Sequence, residues 1–179
     1  MRLFTAVAIP ADLRAHLAAL LDQLRPLAEL QWSKPEKLHI TTTFIGEWPE
    51  SRLTELMAVL AEVKSDPIPI AITGLGWMNP RVLAAGIVAP QALSGLVRST
   101  GDALASIGVA IEKREYHPHL TLARRKHRHP ATQLDQAVSK LSSSKFGSFT
   151  ATTFALFLSH GGKYTPLKEY ALVAKLTGS

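Results

Sequence analysis

The chain has 179 residues, 46% hydrophobic and 19% charged, enough to bury a sizeable core in one domain or two small lobes and too apolar for long-range disorder. No apolar run approaches the ~20 residues a membrane helix needs, and the absence of cysteine excludes disulfides, thiolate metal sites and cysteine catalysis. Lys and Arg number 20 against 14 Asp and Glu, a net charge of +6. The excess sits in residues 90–179, with 12 basic against 5 acidic side chains, many of them in the stretch holding Lys113, Arg114, Arg124, Arg125, Lys126 and Arg128. A solvated basic surface and a phosphate-rich partner both fit that balance, and composition does not separate them.

The pattern predicts a strand over Leu3–Ile9, too quickly cut by Pro10 and Asp12 for a secretory signal, and then an amphipathic helix over Asp12–Ala28. A short strand at Gln31–Trp32 precedes the Lys34–Pro35 turn, and β-branched Leu38–Ile45 reads as a strand ending at Gly46. Pro49–Lys64 is helical, with Leu53, Leu56, Met57 and Leu60 on one stripe. Strands are predicted over Ile68–Trp77 and Val82–Val88, joined through Asn79–Pro80. A helix over Ala92–Ile107 closes at Gly108, and His119–Ala123 follows Pro118 as a strand. Ala131–Leu141 reads as a short helix, with strands over Phe149–Leu158 and Glu169–Leu176 around a Gly161–Gly162 turn. This order, roughly βαββα and repeated, predicts an α+β fold of two similar lobes rather than a doubly wound sheet.

The informative feature is an echo 80 residues apart: Leu38-His39-Ile40-Thr41-Thr42-Thr43-Phe44 and Pro118-His119-Leu120-Thr121-Leu122-Ala123-Arg124. On a strand, residues i and i+2 share a face, so His39 and Thr41 point one way and Ile40 the other; His119 and Thr121 stand likewise against Leu120. If the lobes pack about a pseudo-two-fold axis, two imidazoles and two hydroxyls meet across one cleft. Displacement at phosphorus needs a base on the incoming oxygen and an acid on the leaving one, and histidine does either near neutrality. Thr hydroxyls and an Arg stabilise the charge on the non-bridging oxygens, and no metal is required.

These residues and their surroundings resemble the bacterial RNA 2′,3′-cyclic phosphodiesterases, once called 2′-5′ RNA ligases, of the two-histidine phosphoesterase superfamily. The resemblance runs over nearly the whole chain: Met1-Arg2-Leu3-Phe4-Thr5-Ala6-Val7 with Ile9-Pro10, then Trp32, Lys34-Pro35-Glu36, both His-x-Thr segments, and Phe44-Ile45-Gly46-Glu47. It implies one bilobal domain over residues 1–179, two antiparallel sheets related by a pseudo-two-fold axis, helices outside and a central groove. The implied reaction opens a 2′,3′-cyclic phosphate at an RNA end to a 2′-phosphomonoester, with reversible 2′-5′ RNA ligation as a companion activity. By this likeness His39 is the general acid and His119 the general base, although a near-symmetric site runs either way. Thr41 and Thr121 then bind phosphate oxygens, and Arg124 and Phe44 contact the phosphate or the terminal nucleoside. Cofactors and metals are not implied. The partner is RNA, tRNA fragments among the candidates, met by a cytoplasmic monomer away from membranes.

Two features strain the likeness. Strict alternation puts Phe44 and Arg124 on the face opposite the histidines, and by alternation alone Phe44 is a core residue. Relatives often carry Lys or Arg where this chain has Thr43.

Other readings compete. His117 and His119 share a zinc-like spacing, as do His127 and His129, which offers a zinc-dependent phosphohydrolase, against the repulsion of the nearby arginines. Arg124 to Arg128 offer a non-catalytic RNA-binding module, without interleaved aromatics. His160-Gly161-Gly162-Lys163-Tyr164 is either an anion-holding nest or, preferred, a plain hairpin turn. His16 is assigned to the surface, His117 to an exposed position beside Tyr116, and Trp32 and Trp77 to the core.

Overall fold

The computed structural model describes residues 1–112, 114–125 and 131–173. Strand β1 (Arg2–Ala8) leads into helix α1 (Ala11–Leu24), then β2 (Gln31–Trp32), β3 (His39–Glu47) and α2 (Leu53–Ala61). Next come β4 (Ile68–Asn79), β5 (Val82–Val88), α3 (Pro90–Ala105), β6 (His119–Arg124) and α4 (Thr132–Lys140). Finally β7 (Lys145–Ala151), β8 (Thr153–His160) and β9 (Lys163–Ala171) complete the described elements.

Most boundaries follow the expected ones, with instructive exceptions. The first helix stops at Leu24 and tightens into a 3₁₀ turn over Arg25–Leu27, because Pro26 lacks the amide that would continue it. The second begins as a 3₁₀ turn, Glu50–Arg52, and its α-helical part ends at Ala61. The strand expected over Phe149–Leu158 is two strands in different sheets, β7 beside β4 and β8 beside β1. Between them the Thr152 carbonyl leaves both ladders to accept the Leu172 amide at 2.8 Å. The last strand starts at Lys163, not Glu169, directly after a two-residue turn. Gly161 and Gly162 have φ of 56° and 71°, as a right-twisting hairpin of this length demands, so this segment is a plain turn. The last strand ends at Ala171, short of Leu172 and Val173, and residues 174–176 of the expected strand lie outside the described residues.

The strands form two antiparallel sheets, ordered β3-β1-β8-β9 and β2-β6-β5-β4-β7. The unit β1-α1-β3-α2-β4 repeats as β5-α3-β6-α4-β8, but each unit sends its third strand into the other's sheet: β8 lies beside β1, and β4 beside β5. The helices cross over too. From the first unit, α1 packs on β7 of the second sheet; from the second, α3 packs on β3 of the first. The stripe Leu13, Leu17, Leu21 and Leu24 on α1 and its counterpart Leu93, Leu96, Thr100 and Leu104 on α3 are buried in one shared core.

An irregularity occurs at the same place in β3 and β6. In β3, Ala6 faces Thr41 and Thr5 faces Thr43, skipping Thr42; in β6, Ala84 faces Thr121 and Leu83 faces Ala123, skipping Leu122. Each strand therefore carries a β-bulge three residues after its histidine. The first six residues of both strands show the same burial sequence, partly buried, buried, partly buried, buried, buried, exposed. The bulge shifts the alternation by one, so Phe44 and Arg124 return to the histidine face. Phe44 is 61% exposed and not a core residue.

At the β3 bulge the buried Thr42 hydroxyl shares a 2.7 Å hydrogen bond with the buried Thr5 hydroxyl. Thr42→Val should lower stability by about 1–3 kcal/mol, because it leaves the Thr5 hydroxyl buried without a partner. The double variant Thr5→Val/Thr42→Val should recover part of that loss. Urea unfolding midpoints at unchanged slope check both outcomes.

Candidate active site

The two sheets enclose a groove of about 820 Å³. His39, Thr41, Phe44, His119, Thr121 and Arg124 all line it, so the structure brings the six sequence-derived site residues together. The strand register explains why this face is open. Opposite His39 stands Ala8, opposite Thr41 Ala6, opposite His119 Gly86, and opposite Thr121 Ala84. Small neighbours leave room over the imidazoles and hydroxyls.

Each imidazole is oriented in the same way. His39 Nδ1 donates to the Lys37 carbonyl at 2.6 Å, and His119 Nδ1 donates to the His117 carbonyl at 2.9 Å. A carbonyl only accepts, so Nδ1 carries the proton in both rings, leaving Nε2 as the nitrogen available for proton transfer. In the neutral form His39 Nε2 accepts from the Thr41 hydroxyl at 3.0 Å.

The surroundings are less symmetric than the backbone. His39 is packed among aromatic rings, with centroid separations of 5.0 Å to Phe4, 5.2 Å edge-on to Tyr164 and 6.3 Å to Phe157. Burial pushes its pKa below the ordinary histidine value; the bond to Lys37 acts against this, and the charge of His119 acts with it. At matching register positions the two sheets also differ in chemistry. Phe4 faces Phe44 in one, whereas Val82 faces Arg124 in the other.

The family described as LigT-like phosphoesterase matches residues 7–88 and again residues 85–167, the two halves that the topology relates. The chain belongs to this family. Among its relatives is the RNA 2′,3′-cyclic phosphodiesterase of Archaeoglobus fulgidus, 32% identical over 160 residues, covering 87% of this chain and 89% of the relative. The structure of TT0787 from Thermus thermophilus superposes with a TM-score of 0.82 at 28% identity, over 98% of this chain and all of that one. The structure of Escherichia coli LigT complexed with 3′-AMP gives 0.76 at 25% identity, over 96% of this chain and 97% of that one.

This phosphoesterase also places in its groove residues that sequence reasoning did not assign to a site: Arg2, Ser33, Lys34, Lys37 and Tyr164. The Lys37 ammonium reaches the Gly162 carbonyl and lies 5.7 Å from the Tyr164 ring centroid, joining the β8–β9 hairpin to the edge of the groove. Strand alternation cannot find such residues, because they lie off the two motif strands. Trp32, expected in the core, packs against it and also lines the groove, its indole N–H donating to the Ala28 carbonyl at 3.2 Å.

Among the described residues, those of the basic stretch do not share one surface. Arg125 turns away from the groove, its guanidinium 3.9 Å from the Trp77 ring centroid and 2.9 Å from Asp135. Arg114 pairs with Glu112. Lys113, Lys126, His127, Arg128 and His129 lie outside the described residues. His117 is largely exposed, with the acidic side chain of Glu115 at 3.8 Å. Even so, among the described residues no three His, Asp or Glu side chains converge as metal ligands. His16 is exposed, as expected. No helix among the described residues is long and apolar enough to cross a membrane.

His39 should titrate below 6.5 when followed by the NMR signal of its ring proton. In His119→Ala the midpoint should rise, since a repelling positive charge is lost, yet stay below 6.5 because burial is the larger cause. A midpoint at or above 6.5 in the wild type would contradict the packing described.

Proposed function

We propose that this chain hydrolyses 2′,3′-cyclic phosphate ends of RNA to 2′-phosphomonoesters, using His39 and His119 as its acid and base. The observation that carries the reading is the arrangement of the groove. It has two imidazoles in the same tautomer, each presenting Nε2, each beside a threonine hydroxyl, on strands related by the repeat. The family membership and the names of the relatives point to the same chemistry.

In the proposed cycle, water attacks phosphorus opposite the ribose 3′ oxygen. His119 Nε2 takes the proton of the attacking water as the P–O bond forms. His39 Nε2–H gives a proton to the 3′ oxygen as that P–O bond breaks, leaving the phosphate on the 2′ oxygen. Once His39 carries its second proton, the Thr41 hydroxyl no longer donates to Nε2 and turns its proton to a non-bridging oxygen. Thr121 serves the other such oxygen, and Arg124 offsets the charge that develops. The Phe44 ring, exposed at the groove, stacks on the terminal base. A phosphate monoanion entering the groove opposes the burial of His39 and favours its charged form.

The low pKa of free His39 favours a second reading, with His39 as base and His119 as acid. The groove is larger than a single cyclic phosphate needs, in keeping with an RNA end such as a tRNA fragment. We further propose that residues 1–179 act as one bilobal monomeric domain, each lobe supplying one motif, in the cytoplasm.

The test is hydrolysis of a short RNA with a 2′,3′-cyclic end, in EDTA. The wild type should turn over to a 2′-phosphate with a bell-shaped pH profile, the base being lost to protonation at low pH and the acid to deprotonation at high pH. His39→Ala and His119→Ala should each lose about 10²–10⁴-fold in kcat. Activity only after metal is restored would instead support the zinc reading. RNA binding without turnover would support the binding module. A 3′-deoxynucleoside 2′-(4-nitrophenyl phosphate), whose leaving group needs no acid, assigns the roles. The variant that regains activity on it lacks the acid, which should be His39→Ala.

A further inference from the structure

The two histidine strands are tied to each other by hydroxyls that the proposed chemistry does not use. Tyr116, three residues before His119 on the approach to β6, donates its hydroxyl to the Thr41 carbonyl of β3 at 2.8 Å. Ser33, on the approach to β3, donates its hydroxyl to the Thr121 carbonyl of β6 at 3.0 Å, and its amide donates to the Leu122 carbonyl at 2.8 Å. The arrangement is reciprocal. The segment leading to each histidine strand holds the other strand, and it does so at the carbonyl of the threonine just before the bulge. Tyr116 is half-buried against the core, and burial pushes its hydroxyl pKa up, so the group stays a neutral donor.

We propose that Tyr116 and Ser33 are positioning residues that set the distance between the two imidazoles, a role that rests on the two-histidine reading above. In-line displacement fixes where the attacking and leaving oxygens lie, on opposite sides of phosphorus, and so fixes where the two Nε2 atoms must stand. A displacement of about 1 Å in such a pair costs on the order of 10²-fold in rate. The Ser33 side is reinforced by pairing of β2 with β6, Trp32 opposite Ala123, whereas the Tyr116 hydroxyl reaches β3 by a side chain alone. Tyr116 is therefore the more sensitive of the two.

The experiment compares the wild type with Tyr116→Phe, which keeps the ring and loses only the donor, and with Ser33→Ala. Kinetics use the cyclic-ended RNA, and the His39 ring titration is followed by NMR. Tyr116→Phe should lower kcat by roughly 10- to 100-fold with KM within twofold. Its His39 midpoint should rise toward the ordinary histidine value, because both the repulsion by His119 and the burial of the ring weaken as the strands separate. Ser33→Ala should show both changes to a smaller degree. A partly unfolded population would lower the rate in proportion to the folded fraction and leave the His39 midpoint where it was, and that result would overturn the proposal. So would a kcat within twofold of wild type in both variants. If the wild type itself does not open cyclic phosphates, the function proposed above fails, while the His39 midpoint still decides whether these hydroxyls hold the imidazoles in place.

Discussion

One extra residue in each of two strands governs the groove. A regular strand would carry His39 and Thr41 on one face and send Phe44 to the other; Thr42, unpaired in the ladder, turns the phase so that all three face the cleft. Leu122 does the same for His119, Thr121 and Arg124. A bulge of this kind is stable only if its disturbed backbone and side chain find partners. Thr5 meets the Thr42 hydroxyl in β3, and the Ser33 amide meets the Leu122 carbonyl in β6. Two imidazoles, two hydroxyls, an aromatic ring and a guanidinium thus share one surface because of two local irregularities that are themselves satisfied.

The exchange of third strands and first helices between the repeats holds these surfaces in register. With β8 beside β1, β4 beside β5, α1 over β7 and α3 over β3, neither repeat can bury its apolar faces alone. Close packing of a shared core then transmits position from one half to the other. Side-chain hydroxyls from Tyr116 and Ser33 carry the same coupling to the motif strands themselves. Relative motion of the two imidazoles is limited by covalent crossover, core packing and hydrogen bonds at once.

Backbone symmetry does not extend to the environment. The rings of Phe4, Phe157 and Tyr164 surround His39, and the corresponding corner of the other sheet holds Val82 opposite a charged Arg124. Burial among aromatic rings disfavours the charged form of His39, which distinguishes two histidines that are otherwise held alike. The same asymmetry gathers the rings of Phe4, Phe44 and Tyr164 beside the first motif and sets the Arg124 guanidinium beside the second.

The sequence by itself determined the elements that carry the chemistry. Repetition of His-x-Thr on two β-branched runs was legible because strand alternation is a local rule, and it placed His39 with Thr41 and His119 with Thr121 without tertiary information. The same rule misassigned Phe44 and left Arg124 on the wrong face, since a bulge is decided by what its extra residue meets, Thr5 in one case and Ser33 in the other, far away in the chain. The division of the Phe149–Leu158 run at Thr152 was equally hidden, because a strand's pattern records that one face is buried and not which sheet buries it. Tyr116, Ser33 and Lys37 have no periodic signal at all, being single polar groups whose role depends on a carbonyl 75, 88 or 125 residues distant. Local alternation thus named the paired histidines and threonines, and only long-range packing, which chooses among partners that no neighbouring residue records, decided how they face one another.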